Sequence, residues 1–408
     1  MTGPDAIAGT PLPLEGVRVL DYTQIMAGPF CGMLLADMGA DVIKLEKPGG
    51  DDSRRMAPPF IAGESAAFLA INRNKRGIVL DLKVDGAREV LHRMVAQSDV
   101  LVQNFRRGTL ERFGLGYEDA KELNPALIYT HITGFGATGP YSDRGGFDLV
   151  AQGMSGLMAA TGHPEQTPVK VGVPITDLNA GIYGAYGTLC AYIHRLKTGR
   201  GQFVDTSLLE GGIAYTFWES AMYFATGQDP VPMGSAHRLS APYQAFRTAD
   251  GHLNIGAANQ ANWERLVAAI DRQDLLDDER FATNPDRMVN LEALAAALDE
   301  TFAQKPTAHW LELLERADVP SGPIYDISQV YGDPHIQARG MEVETEHPVA
   351  GRVRNIGIPV KLSETPGRIR RSAPALGQHT DEILNEFGYD EAEVTALRDS
   401  GAFGRLPA

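Results

Sequence analysis

An α/β fold with a mostly parallel sheet follows from three observations. Short buried-strand patterns alternate with helical ones through the first third of the chain, as repeated β-α-β crossovers require. Polar and glycine-rich segments follow the strand ends, where open parallel sheets bind ligands. Past Thr226–Pro232 ("TGQDPVP"), which reads as a linker, the pattern becomes a hairpin followed by helices, a second and smaller α+β unit.

The strands read as Val17–Tyr22, Asp41–Glu46, Gly77–Leu82, Asp99–Phe105 and Leu127–Thr133. Between them, Pro29 opens a helix that Gly39 closes. Gly86–Gln97 is amphipathic, with Val90, Leu91, Met94 and Val95 on one face, and Glu118–Leu123 is a short helix. A long helix follows "VGVPITD", because Leu178, Ile182, Tyr186, Leu189, Ile193 and Leu196 recur at intervals of three and four. His194, Arg195 and Lys197 suit its C-terminal end and Gly199 its cap. Gly201–Leu209 reads as one more strand.

In the smaller unit, Pro242–Ala257 is a hairpin around Asp250-Gly251. Helical patterns follow at Ala261–Ile270, Leu291–Ala303 and Ala308–Arg316. From about Gly340 the chain is loop-rich and basic, then ends in a helix near Thr380–Phe387 that is expected to return to the first domain. The division is therefore 1–225 with 341–408 as the large domain, and 226–340 as the small one.

The 408 residues are 43% hydrophobic and 22% charged, values of an ordinary globular chain. A net charge of −15 argues against nucleic acid or an anionic membrane as partner. Two cysteines, Cys31 and Cys190, make neither a disulfide framework nor a zinc cluster, so a reducing compartment and no metal are expected. Met1–Pro13 lacks the basic start and apolar run of a signal peptide, and no apolar segment approaches the ~20 residues that span a bilayer. A cytoplasmic location follows as the expectation.

Polar residues gather after the strands. The segments are "TQIMAGP" (Thr23–Pro29), "KPGGDDSRR" (Lys47–Arg55), Lys83, "RRGTLER" (Arg106–Arg112) and "GFGATGPYSDRGGFD" (Gly134–Asp148). The topology would bring Lys47, Lys83, Arg106, Arg107 and Arg112 toward one edge, where they either hold the phosphates of a large anionic cofactor or stand as solvated cations. Gly134–Gly139 matches G-x-G-x-x-G, but Pro140 follows and no helix opens there, which argues against NAD. Motifs of P-loop, zinc-protease and G-x-S-x-G type are absent. His237 stands in the loop "GSAHR", with Arg238 a candidate partner for a second carboxylate of the substrate. Asp177, at the start of the long helix, is either an N-cap, a task Thr176 shares, or a reacting carboxylate.

These residues resemble class III CoA-transferases, the CaiB/BaiF-like family of formyl-CoA transferase and carnitine CoA-transferase. The likeness lies in "LEGVRVLDYTQIMAGPFCGMLLADMGADVIKLEKP", "NKRGIVLDLK", "VQNFRRGTLERFGL", "GFGATGPYSDRGGFDLVAQ", the Asp177 stretch, "KTGRGQFVD" and "APALGQHTDEIL", in order along nearly the whole chain. It implies a Rossmann-like large domain built from both chain ends, a small domain, and an interlocked homodimer. It also implies transfer of coenzyme A from an acyl-CoA to a carboxylic acid, with Asp177 as nucleophile.

Coenzyme A contacts are implied at Ile25, Met26, Ala27, Lys47, Leu80, Asp81, Leu82, Lys83, Asn104, Phe105 and Arg112, with Arg106 from the cation cluster, and at Phe147 and Asp148 near the aspartate. Gln24, Gly234 and His237 fall toward the substrate. Met26 and Gln24 replace a glutamine and a histidine of formyl-CoA transferase, and "GSAHR" is shorter than its four-glycine run, which argues against oxalate/formate specificity. Phe147 stands where α-methylacyl-CoA racemases have a histidine, which argues against the alternative of racemisation. A silent CoA-binding protein is the other alternative, and the intact Asp177 speaks against it. A helix start is expected to keep Asp177 ionised and to offer backbone N–H groups to an oxyanion.

Overall fold

The computed structural model describes residues 10–404; Met1–Gly9 and Arg405–Ala408, and so most of the Met1–Pro13 stretch, lie outside the described residues. Six strands form a parallel sheet: β1 (Arg18–Tyr22), β2 (Asp41–Glu46), β3 (Lys75–Val79), β4 (Val100–Gln103), β5 (Ile128–Thr133) and β6 (Phe203–Ser207). They lie in the order β3-β2-β1-β4-β5-β6, all neighbours parallel. The order reverses between β1 and β4, and crevices at such a switch point are where open sheets take ligands.

Alternate strand residues serve two cores. Leu20, Ile43, Leu101 and Tyr129 face α2 (Asp85–Ala96) through Val90, Leu91 and Met94. Val19, Val42, Val100 and Ile128 face α1 (Ala27–Asp37) through Cys31 and Leu35. The chain end does return: Ile383, Leu384 and Phe387 join the first of these cores. His379 exchanges hydrogen bonds with Gly77, and Arg76 pairs with Glu382 and Glu386 at 2.7 Å each. A further helix, Glu391–Asp399, carries Val394 into the same core; the sequence pattern did not single it out.

The chain divides into two compact units, Met1–Leu157 with Lys170–Trp218 and Pro334–Ala408, and Met158–Val169 with Glu219–Asp333. The second unit holds a three-stranded antiparallel sheet of Tyr243–Arg247, His252–Gly256 and Ser321–Pro323, the first two forming the expected hairpin. Trp263, Phe281, Leu298, Phe302 and Trp310 fill its core.

Two sequence expectations change in the first unit. The strand read at Gly77–Leu82 pairs from Lys75 and ends at Val79, after which Leu80 and Leu82 turn into the core. The strand read at Gly201–Leu209 stops at Ser207, whose hydroxyl caps the next helix, Leu208–Tyr215, through the Glu210 N–H.

The long helix, Ile175–Thr198, packs through its small residues. Its buried side is Thr176, Asn179, Ala180, Gly181, Gly184, Ala185, Thr188 and Ala191. The periodic large residues point outward in the single chain, with Tyr186 64% and Leu196 70% exposed. The reason is distance. A Cβ on Gly181 would lie 2.7 Å from the Ala27 carbonyl oxygen, and one on Gly184 2.7 Å from the Ile132 side chain. Only small residues let this helix approach α1 so closely. Its other end fits the sequence: Gly199, at φ 72°, donates to Arg195 O at 2.7 Å.

Two fully buried lysines tie α1 and the loop before it to the strands. Lys75 Nζ lies 2.7 Å from Asp21 and donates to Pro29 O and Asn72 Oδ1 at 2.8 Å. Lys44 Nζ donates to Thr23 O at 2.7 Å and to Asp51 at 2.8 Å. Burial pulls the Lys75 ammonium down to about 8 against the pull of Asp21.

Lys75→Met leaves Asp21 buried and unpaired, and is expected to destabilise the first unit by about 3–5 kcal/mol in urea unfolding. Asp21→Asn combined with Lys75→Met is expected to lose less than that single change. Gly181→Ala is expected to lower stability by about 1–3 kcal/mol despite the better helix propensity of alanine, because backbone is what it meets. Gly184→Ala, which meets the end of the Ile132 side chain, is expected to cost less in the same assay.

Candidate active site

The ends of β1, β4 and β5 open on a cleft of about 450 Å³, within the range of small-molecule sites. From β1 come Gln24, Ile25, Met26 and Ala27; from β4, Asn104, Phe105, Arg106 and Thr109; from β5, Ile132, Thr133 and Gly134. Ser142, Arg144, Gly145, Gly146 and Phe147 form another wall, and Asp177 stands in it with Leu208 and Asp52.

The walls are held by specific contacts. Asn104 spans Gln24, accepting its N–H at 2.9 Å and donating to its carbonyl at 2.8 Å. Gly28 is needed beneath this loop, since a Cβ there would meet Thr23 Cβ at 2.5 Å. Gly134 and Gly146 cross at backbone distance, a Cβ on the former falling 2.5 Å from the latter's Cα. The G-x-G-x-x-G segment is thus a turn folded against "RGG", and the next helix begins only at Asp148.

Asp177 is the third residue of the long helix, so neither it nor Thr176 is the N-cap. Pro174 occupies that position, with no side-chain cap. Asp148, first residue of the helix Asp148–Met154, supplies the missing partner: its Oδ1 accepts the Thr176 N–H at 3.0 Å and hydroxyl at 2.8 Å, and its Oδ2 accepts Gln152 Nε2 at 2.8 Å. The Asp177 carboxylate makes no hydrogen bond or ion pair to any described residue. Burial first, and the Asp148 charge second, push its carboxyl up to about 7. Loss of water and a like charge thus work against the ionised form that the helix start favours. The N–H groups of Ile175, Thr176 and Leu178 are bonded to Val173 O, Asp148 and Pro174 O, so the helix start has fewer free donors for an oxyanion than expected.

Other expected residues lie elsewhere. Lys47 lines a smaller cavity with Tyr22, Thr23, Gln24 and Phe105, and pairs with Asp52 at 2.8 Å. The Leu80 and Leu82 side chains are buried, Asp81 accepts the Lys83 N–H at 3.1 Å, and Lys83 and Arg112 are exposed outside the cleft lining. Gly234 and His237 belong to the second unit, where Gly234 donates to Gly162 O and His237 Nδ1 accepts the Leu239 N–H. Arg238 is already engaged by Glu219 at 3.2 Å and by the Val231 and Ala160 carbonyls.

Sequence reasoning missed Arg144, stacked 3.8 Å over the Tyr141 ring, and Thr109, Ser142 and Leu208. Arg106 and Arg144 have no carboxylate partner among the described residues. The signal for Arg144 was its place before two glycines and Asp148. Among the described residues, no cluster of His, Cys, Asp or Glu is set to hold a metal ion, and no helix is long and apolar enough to cross a membrane.

Known proteins resemble this chain in sequence and fold. The family model described as CoA-transferase family III matches residues 14–380. Human succinyl-CoA:glutarate CoA-transferase is 41% identical over 95% of this chain and 89% of its own length. Succinate–glutarate CoA-transferase of Agrobacterium fabrum is 40% identical over 94% and 98%. The crystal structure of a CaiB/BaiF family protein from Brucella suis superposes with a TM-score of 0.85 at 39% identity, covering 92% of this chain and 100% of that one. The chain belongs to the class III CoA-transferase family.

Proposed function

We propose that this enzyme moves coenzyme A from an acyl-CoA to a short dicarboxylic acid through covalent intermediates on Asp177. The observation that carries the reading is an aspartate in the cleft wall with no bonding partner and a carboxyl raised to about 7. An unbonded, poorly hydrated carboxylate is a better nucleophile than a solvated one.

An Asp177 oxygen attacks the thioester carbonyl carbon, the C–S bond breaks, and a mixed anhydride and CoA thiolate form. The thiolate attacks the aspartyl carbonyl, the anhydride C–O bond breaks, and the donor acid leaves an aspartyl-CoA thioester. The acceptor carboxylate attacks that thioester and releases the thiolate, which then attacks the acceptor's acyl carbon and frees Asp177. No net proton or electron is transferred.

Gln24, Ile25, Met26, Ala27, Asn104 and Phe105 are proposed to seat coenzyme A, with Lys47, Lys83, Arg106 and Arg112 toward its phosphates. The glutarate in the relatives' names and the unpaired guanidinium of Arg144 support a diacid acceptor, its second carboxylate meeting that side chain. A substrate role for Gly234 and His237 is part of the same proposal, as is the division into 1–225 with 341–408 and 226–340. The exposed apolar stripe of Ile182, Tyr186, Leu189, Ile193 and Leu196 supports a homodimer, in line with the interlocked family form.

Mass-spectrometric assay of succinyl-CoA against a panel of acids is expected to give new acyl-CoA with diacids and little with monoacids. Asp177→Asn is expected to abolish transfer, and near-normal turnover would overturn the assignment. The folded carboxyl titrates higher than an unfolded one, so its ionisation weakens the fold as pH rises from about 4 through about 7. Asp177→Asn is therefore expected to melt no lower than the natural protein at pH 8, separating lost chemistry from lost structure.

Ionised Asp177 is the reacting form, so kcat/KM is expected to fall below a pH near 7. Asp148→Asn, removing the second cause of the shift, is expected to move that limb to lower pH. An unmoved limb would exclude Asp148 as its source.

A further inference from the structure

Asp51 is not in the cleft lining, yet it holds the one residue of the Gln24–Ala27 wall whose backbone is strained. Ile25 has φ 68°, and it is the only β-branched residue among the described non-glycine residues with positive φ. Such a conformation is a genuine outlier for a β-branched side chain and persists only where the surroundings over-determine it.

Here they do. The Ile25 N–H donates to Asp51 Oδ1 at 3.1 Å. The preceding Gln24 is clamped on both sides by Asn104, and the Thr23 carbonyl accepts from Lys44. Lys44 also holds Asp51 Oδ2 at 2.8 Å, both side chains being essentially buried. Asp51 is fixed further by the Ser53 N–H and hydroxyl at 2.9 and 2.8 Å, and its own N–H donates to Glu46 at 2.8 Å. Ile25 is followed at once by Met26 and Ala27, which line the cleft and begin α1. The backbone turn at Ile25 therefore decides where that wall stands.

We propose that Asp51, braced by Lys44, is a positioning residue for the transfer reaction: it keeps Ile25 in the left-handed conformation and so sets the Gln24–Ala27 wall facing the reacting carboxylate. Burial alone would raise the Asp51 carboxyl, but Lys44 drives it down to about 2, so the brace stays charged over the working range of the enzyme. The inference rests on the Asp177 reading only for the identity of the group that the wall faces.

The test uses glycine, which adopts positive φ without steric cost. Asp51→Ala is expected to lower kcat/KM on the order of 10- to 100-fold, as a displaced wall should. Adding Ile25→Gly is expected to recover roughly tenfold of that loss, since the strain the brace had to hold is gone. A merely structural role would give no such recovery. A double variant no better than Asp51→Ala, or an Asp51→Ala enzyme with natural kcat/KM, overturns the proposal. Should Asp51→Ala not fold, Asp51→Asn with and without Ile25→Gly makes the same comparison, with the same outcomes deciding it. Asp177→Asn measured alongside separates the two readings: turnover there removes the nucleophile assignment, whereas the recovery ratio at Ile25 stands on its own.

Discussion

The Asp148 carboxylate accepts the backbone N–H and the hydroxyl of Thr176, and so completes the start of the long helix from outside it. A helix start leaves N–H groups that something must meet. The usual solution uses the helix's own capping side chain, and the acidic residue nearest to hand is Asp177. Because a residue of another helix does that work, Asp177 is left unbonded and faces the cleft. The same neighbour adds a negative charge beside a carboxyl that burial has already raised. One interaction thus frees the proposed nucleophile and adds to the rise that burial gives its carboxyl. The arrangement costs the fold some stability near neutral pH, a cost commonly found at functional sites.

The frame that holds Asp177 is unusually close. Gly181 and Gly184 let its helix lie against α1 and β5 at distances no larger residue permits. The first turn of α1 borders the same cleft, and its Pro29 carbonyl is tied to buried Lys75, while the loop before it is tied to buried Lys44. Two lysines beneath the sheet end are therefore fixed points for one wall, and the small-residue face is the fixed point for the other. Each charge has its partner, Asp21 or Asp51, within 2.8 Å.

Much of this was legible in sequence. Strand patterns such as "DVIKLE" alternate with amphipathic helices because each strand is buried on both faces, and that signal survives in single sequences. The strand-end segments "TQIMAGP" and "VQNFRR" do meet at the switch point between β1 and β4. Periodicity located the long helix but did not show its packing face. Periodicity marks the large apolar side of a helix, and here the core side is glycine and alanine, which carry little hydropathy signal. Capping misled, since the partner of Thr176 lies 28 residues away. The φ of Ile25 had no sequence mark at all, because a β-branched residue argues against the conformation it adopts.

Covalent engagement of Asp177 in every transfer is the central claim, and the aspartate's own oxygen atoms record it most directly. If the acceptor carboxylate attacks an aspartyl thioester, one acceptor oxygen bridges the resulting anhydride and stays with Asp177 when coenzyme A leaves on the new acyl group. Turnover with an acceptor acid labelled with oxygen-18 in its carboxylates, followed by mass spectrometry of the peptide containing Asp177, is the measurement. Incorporation of the label into the Asp177 carboxylate is the predicted result. Unlabelled Asp177 after many turnovers to new acyl-CoA would contradict it.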